Sequence, residues 1–117
     1  MATILVADDE SPILALLRDL LEDEGHTVLA AHNGREALAL ARTAHPDLVL
    51  SDVMMPLIDG MQLARMLRAD AVTRELVVIL MSAAHPPDLE AVGAAAFLAK
   101  PFDLDAVNRL VARHLAA

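Results

Sequence analysis

The chain has 117 residues, 56% of them hydrophobic, and a formal net charge of −8. That length fits one compact domain, and that apolar content excludes a disordered chain. The acidity argues against direct nucleic-acid binding, because an acidic surface repels phosphate backbones, and the absence of Cys excludes a disulfide framework and a thiolate zinc site.

From the N-terminus onward, short β-branched runs alternate with longer helical patterns. Thr3 to Ala7 (TILVA) reads as a buried strand. Ser11-Pro12 marks a helix start, with Ser11 at the N-cap and Pro12 in the first turn. Ile13, Leu14, Leu17, Leu20 and Leu21 recur at helical spacing, and Gly25 follows as a stop. Thr27 to Ala31 is a second strand, and Asn33-Gly34 opens a second helix with Ala37, Leu38 and Ala41 facing inward. His45-Pro46 breaks that helix. Asp47 to Ser51 is a third strand, followed by a Pro-containing loop and a helix over about Asp59 to Ala69. Leu76 to Met81 is the most apolar strand, and Phe97 and Leu98 belong to a short fifth. Asp103 caps a last helix, with Val107, Leu110, Val111 and Leu115 on one face.

The pattern is (βα) repeated five times. It predicts an α/β domain over residues 1–117, a doubly wound parallel five-stranded sheet with helices on both faces. With two Phe and neither Trp nor Tyr, Leu, Ala, Val and Met must fill its core. The chain enters its first apolar run directly after Met-Ala-Thr, and no apolar stretch reaches membrane-spanning length. The expected setting is soluble and cytoplasmic, with no membrane partner.

Open α/β sheets bind ligands beyond the carboxyl ends of their strands. Asp8, Asp9 and Glu10 follow the first strand, Asp52 the third, Ser82 the fourth and Lys100 the fifth. A lone Asp after a strand reads as a turn former or a helix cap. Together, in a sheet where the first, third and fourth strands are neighbours, they would converge. Crowded carboxylates repel one another unless a cation neutralises them, and a compact oxygen site suits Mg²⁺. Ser82 and Lys100, the only Lys, could then bind two oxygens of a phosphoryl group. Asp52 would be the nucleophile, in a reaction that needs mostly positioning and charge neutralisation.

Four stretches carry a resemblance: ILVADDE (4–10), DLVLSDVMMPLIDG (47–60), VVILMSA (77–83) and AFLAKPF (96–102). In this order they resemble the CheY-like receiver domain of two-component response regulators. The resemblance implies a flavodoxin-like strand order 2-1-3-4-5. It implies Asp52 as phospho-acceptor, Asp9 as a direct Mg²⁺ ligand, Asp8 acting through water and the Met54 carbonyl as a further ligand. Ser82 would hydrogen-bond the phosphoryl group, Lys100 would pair with it, and Phe97 would be the rotating aromatic of the switch. The Lys100-Pro101 bond would be cis. A histidine kinase or histidine phosphotransfer protein would supply the phosphate. An unknown downstream protein would read the result, with the chain a monomer or weak homodimer.

Other readings have less support. An aspartate-dependent phosphatase wants Asp-x-Asp after the first strand, where this chain has Asp-Asp-Glu. A flavin binder wants a phosphate-cradling loop and stacking aromatics, and the four Gly lie too far apart to form such a loop. A pseudo-receiver scaffold would not need the acidic set. Glu10 reads equally well as a first-turn acid. Met54, Met55 and Met61 read as loop and core filler, and the five His as surface residues without metal spacing.

One segment departs from the family. Ser82 and Lys100 lie 18 positions apart, about one helical turn short of the usual spacing. His85-Pro86-Pro87 cannot be mid-helix. The fourth helix is therefore expected to be short, over about Asp88 to Val92.

Overall fold

A computed structural model describes residues 2–115; Met1, Ala116 and Ala117, the ends of the expected 1–117 domain, lie outside them. Five strands, β1 (Thr3–Ala7), β2 (Thr27–Ala31), β3 (Leu48–Asp52), β4 (Val77–Ser82) and β5 (Ala96–Ala99), alternate with five helices. The helices are α1 (Ser11–Asp23), α2 (Gly34–Ala44), α3 (Gly60–Ala69), α4 (Leu89–Val92) and α5 (Leu104–Leu115). All strand pairs are parallel, in the order β2-β1-β3-β4-β5. This is the predicted doubly wound sheet.

Side-chain alternation along each strand divides the core in two. Ile4, Val6, Leu48, Leu50, Ile79 and Met81 pack on one face with Leu14, Leu17 and Leu21 of α1 and Val107 and Val111 of α5. Leu5, Ala7, Val49, Val78 and Leu80 pack on the other with residues of α2, α3 and α4. Burying each Leu, Ile or Val stabilises the fold by about 1.5–3 kcal/mol relative to exposure. The sheet is thus clamped from both sides, and its carboxyl edge is a rigid shelf.

Local signals explain most boundaries. After α1, Gly25 takes φ 92°. Its N–H donates to the Glu22 carbonyl while that of His26 donates to the Leu21 carbonyl, a glycine-based helix stop. Asn33 caps α2 by accepting from the Glu36 N–H. Asp59 and Gln62 form a reciprocal capping box at α3. The Asp103 carboxylate accepts from the Asp105 N–H at the start of α5.

Three expectations need correction. Ser11 is not the N-cap of α1: Glu10 holds that place in an extended conformation without a side-chain cap, and Ser11 and Pro12 lie inside the helix. The cap is dispensable because the Glu10 N–H bonds to the Asp8 side chain, which fixes the turn from the other direction. Strands β3 and β4 run one residue further than expected, so Asp52 and Ser82 are their last residues rather than the first beyond them. Of the five His, His26 and His114 are half-buried rather than on the surface, with ring nitrogens at the Ala2 N–H and the Leu110 carbonyl.

The short fourth helix is as expected. It is one turn, capped by the Asp88 side chain on the Ala91 N–H and stopped by Gly93 at φ 79°. A helix this short is not stable by itself. Val92 pins it into the core, and Arg68 of α3 donates to the Gly93 carbonyl at 3.0 Å. No helix of the described residues is long and apolar enough to cross a membrane.

Candidate functional site

Parallel strands all point the same way, so the residues that end them share one edge. Asp8, one residue past β1, is fully buried. Asp52 and Ser82 are buried at the ends of β3 and β4, and Lys100 follows β5. Lys100 Nζ lies 2.9 Å from Asp8 Oδ2 and 3.1 Å from Asp52 Oδ1. One ammonium thus bridges two carboxylates delivered by neighbouring strands. The other Asp8 oxygen, Oδ1, accepts from the Glu10 N–H at 2.9 Å. Glu10 therefore serves the site with its backbone, while its own side chain is exposed.

Asp9 is exposed beside this pair, and carboxylate oxygens of Asp8, Asp9 and Asp52 lie within 4.8 Å of one another. Burial pushes the Asp52 carboxyl above its ordinary 3.8, and the charges of Asp8 and Asp9 add to the rise; Lys100 opposes it without cancelling it. Burial by itself would lower the Lys100 ammonium. Its hydrogen bonds and charge interactions with Asp8 and Asp52 outweigh that, and its pKa stands above the ordinary 10.5. Lys100 therefore stays charged, and Asp52 takes up a proton more readily than an ordinary carboxylate does.

Ser82 Oγ accepts from the Ala84 N–H at 3.0 Å. Its hydroxyl hydrogen is left to donate elsewhere. Phe97 pairs with Leu80 across the β4–β5 ladder and packs, half-buried, against the core face formed with α2 and α3. The Lys100-Pro101 bond is cis, as the resemblance implies. Met55 is core and Met61 is packed beside it, while Met54 sits on the loop after β3 and is 70% exposed.

Sequence reasoning missed two glycines. A Cβ on Gly60 would meet the Asp52 carbonyl oxygen and lie 2.9 Å from Val53 Cα. A Cβ on Gly34 would meet the Ile58 carbonyl and lie 2.6 Å from Ile58 Cβ. Both glycines let a helix N-terminus approach the segment around Asp52. The only signal was that each follows a helix-capping residue, Asn33 or Asp59. The long-range contact itself leaves no trace in the chain order.

A five-stranded doubly wound sheet whose carboxyl edge holds three Asp, a Ser and a Lys defines a class of phosphoryl-handling α/β domains. The chain belongs to the response regulator receiver domain family, whose model matches residues 4–112. It is 37% identical over 116 residues to the protein PilH of Pseudomonas aeruginosa, covering 95% of each chain. It is 39% identical over 113 residues to the alkaline phosphatase synthesis transcriptional regulatory protein PhoP of Bacillus subtilis, but spans only 46% of that protein. Among solved structures, the chemotaxis response regulator CheY4 of Vibrio cholerae superposes with a TM-score of 0.91 at 31% identity, covering 97% of this chain and 98% of that one. The protein is a receiver, the phosphorylation-activated switch of two-component signalling.

Proposed function

We propose that Asp52 is the residue that takes the phosphoryl group, from a phosphohistidine on a histidine kinase or a phosphotransfer protein. The observation that carries this reading is the Lys100 bridge. Asp52 Oδ1 is held by the ammonium, which leaves the other carboxylate oxygen to attack. In that step a P–N bond to the donor imidazole breaks and a P–O bond to Asp52 forms. Lys100 then neutralises the added charge, and the Ser82 hydroxyl donates to a phosphoryl oxygen.

The hard oxygen donors of Asp8, Asp9 and Asp52 suit Mg²⁺. Asp9 and Asp52 would bind it directly, the Met54 carbonyl would add a ligand, and Asp8 would act through water. When bound, it supplies charge neutralisation at the phosphoryl oxygens. Asp8 has little freedom to do more, since both its oxygens are already engaged. An apolar groove lined by Ile13, Leu16, Ala83, Pro101 and Phe102 runs beside Lys100. It is the approach over which a donor protein would reach Asp52. The domain catalyses only its own phosphorylation and dephosphorylation, in a cytoplasmic setting.

Incubation with a small phosphodonor and Mg²⁺ tests the assignment. Intact-mass analysis is expected to show one added phosphate in the wild type, and none in Asp52→Ala or without Mg²⁺. Labelling that survives the substitution would refute it. The switch itself rests on Ser82 and Phe97. As Ser82 is drawn toward the phosphoryl group, Phe97 turns into the space it leaves, held by burial because Phe has no hydroxyl. Fluorine NMR of a fluorophenylalanine-labelled chain should then show the Phe97 resonance move when a phosphoryl mimic is added. An unchanged resonance would remove Phe97 from the mechanism.

A further inference from the structure

A second surface lies at the amino edge of the sheet, at the opposite end of the strands from the carboxylates. Two hollows of about 260 and 250 Å³ open between α3, α4 and the first residues of β4, and they share Arg68 and Gly93. Val77, Ala91 and Ala95 give them an apolar lining. Arg65, Arg68 and Arg74, all exposed, stand around it with Glu75 and Glu90. Three guanidinium groups against two carboxylates make this rim positive on a chain whose net charge is −8.

None of these Arg is already neutralised. Among the described residues, ion pairs form at His32, Arg42 and Lys100, and at none of the three. Arg68 is also held in place. Its Nη2 donates to the Gly93 carbonyl at 3.0 Å. Gly93 leaves room for that contact, since a Cβ there would stand 3.2 Å from Arg68 Nε. A guanidinium carries five N–H donors, so most of those on Arg68 remain for a ligand. They sit on a side chain whose rotamer freedom is already spent, which lowers the entropy lost on binding.

We propose that this groove docks an acidic segment of a partner protein, one that sets apolar side chains between carboxylates, and that it does so whatever the state of Asp52. The planar fork of Arg matches a carboxylate with two parallel hydrogen bonds, and the apolar side chains fill the two hollows. A nucleic acid fits worse. Its phosphates gain nothing from an apolar lining, and the rest of this acidic chain repels them. Distance makes the groove independent of the acceptor. β4 starts in it at Val77 and ends at Ser82 on the other edge, a separation of about 16 Å along the strand. The approach past Ile13, Leu16 and Phe102 to Lys100 stays free. A partner held at the amino edge therefore stays bound while a phosphodonor reaches Asp52, and it keeps the receiver at a high effective concentration beside it.

The test uses the whole chain and a fluorescein-labelled peptide of sequence Glu-Glu-Leu-Glu-Glu-Leu-Glu-Glu. Fluorescence anisotropy is expected to show saturable binding that weakens as salt screens the exposed rim. Among the described residues, the Arg side chains that hydrogen-bond are Arg42 and Arg68, so Arg65→Glu and Arg74→Glu break no bond of the fold. Each should weaken binding at least about tenfold by setting like charge against the peptide. Arg109→Glu on α5, outside the groove, should bind like the wild type, and so should Asp52→Ala. In an NMR titration the amides of Arg68, Val77 and Gly93 should move and that of Lys100 should not. No saturable binding at millimolar peptide would overturn the proposal, as would equal binding of a peptide with Gln for every Glu, or resonance changes centred on Lys100. Tighter binding of single-stranded DNA to the same residues would overturn it in favour of a nucleic acid. Loss of peptide binding in Asp52→Ala would overturn the independence from the acceptor. The phosphorylation experiment and this one fail separately, because Asp52→Ala is expected to refuse phosphate and still bind the peptide.

Discussion

Replacing Lys100 by Met is expected to be the most damaging single change at the carboxyl edge. The ammonium is the shared partner of Asp8, which is fully buried, and of Asp52, which is nearly so. Removing one member of a buried ion pair costs about 3–5 kcal/mol, because the charge left behind has neither water nor a counter-ion. Here two carboxylates are left. The loss should depend on pH in a definite direction. Asp52 already titrates above its ordinary value from burial and from Asp8, and losing Lys100 raises it further. A carboxyl whose folded-state pKa lies above its unfolded value opposes folding once pH exceeds the folded value, and stops doing so as pH falls below the unfolded one. Lys100→Met should therefore melt well below the wild type near neutral pH, and the gap should narrow in mild acid as Asp52 takes up a proton. Added Mg²⁺ should raise the melting temperature of the variant more than that of the wild type, since the acidic group has lost its internal cation. Equal melting temperatures at neutral pH would show that the bridge contributes nothing to the fold.

Gly60→Ala is the second large effect. The added Cβ meets backbone, the Asp52 carbonyl and Val53 Cα, rather than the end of a flexible side chain. Backbone in a central strand cannot yield without displacing its ladder, and β3 is paired on both sides. Overpacking of this kind costs about 1–3 kcal/mol, and a clash against backbone belongs at the upper end. For a domain of this size that corresponds to a fall in melting temperature of about 10 °C. Because the strain falls on the residue that would carry the phosphate, labelling by a small donor should slow as well. Circular dichroism melts and intact-mass labelling read the two effects separately. A variant that melts with the wild type would mean that α3 can shift away from β3 freely.

Most of the fold was legible because its signals are local. Alternation and helical spacing located nine of the ten elements, and the short Ser82–Lys100 segment with His85-Pro86-Pro87 revealed the one-turn fourth helix. The order of the strands came from likeness to a family, since hydrophobic runs do not say which neighbour each strand takes. The acidic set, Ser82 and Lys100 were visible as residues that end strands. What they do to one another was not: the Lys100 bridge and the raised Asp52 carboxyl depend on distances between strands. The same limit hid Gly34 and Gly60, whose reason for being glycine lies in another segment. Ser11 misled because a Ser before a Pro is a good local cap, and the Asp8 to Glu10 turn made a cap unnecessary.

The Lys100 to Asp8 contact joins residues 92 positions apart. Its consequence concerns biogenesis. Synthesis runs from the N-terminus, so β1 and β3 leave the ribosome long before Lys100 does. Until β5 adds to the edge of the sheet, the Lys100 ammonium is not there to bridge Asp8 and Asp52. A nascent or truncated chain ending before residue 100 would present its acidic residues without the ammonium that bridges them. β5 is thus the last strand of this sheet to be made, and on the proposed role of Lys100 only a chain that has completed the sheet would carry the full site.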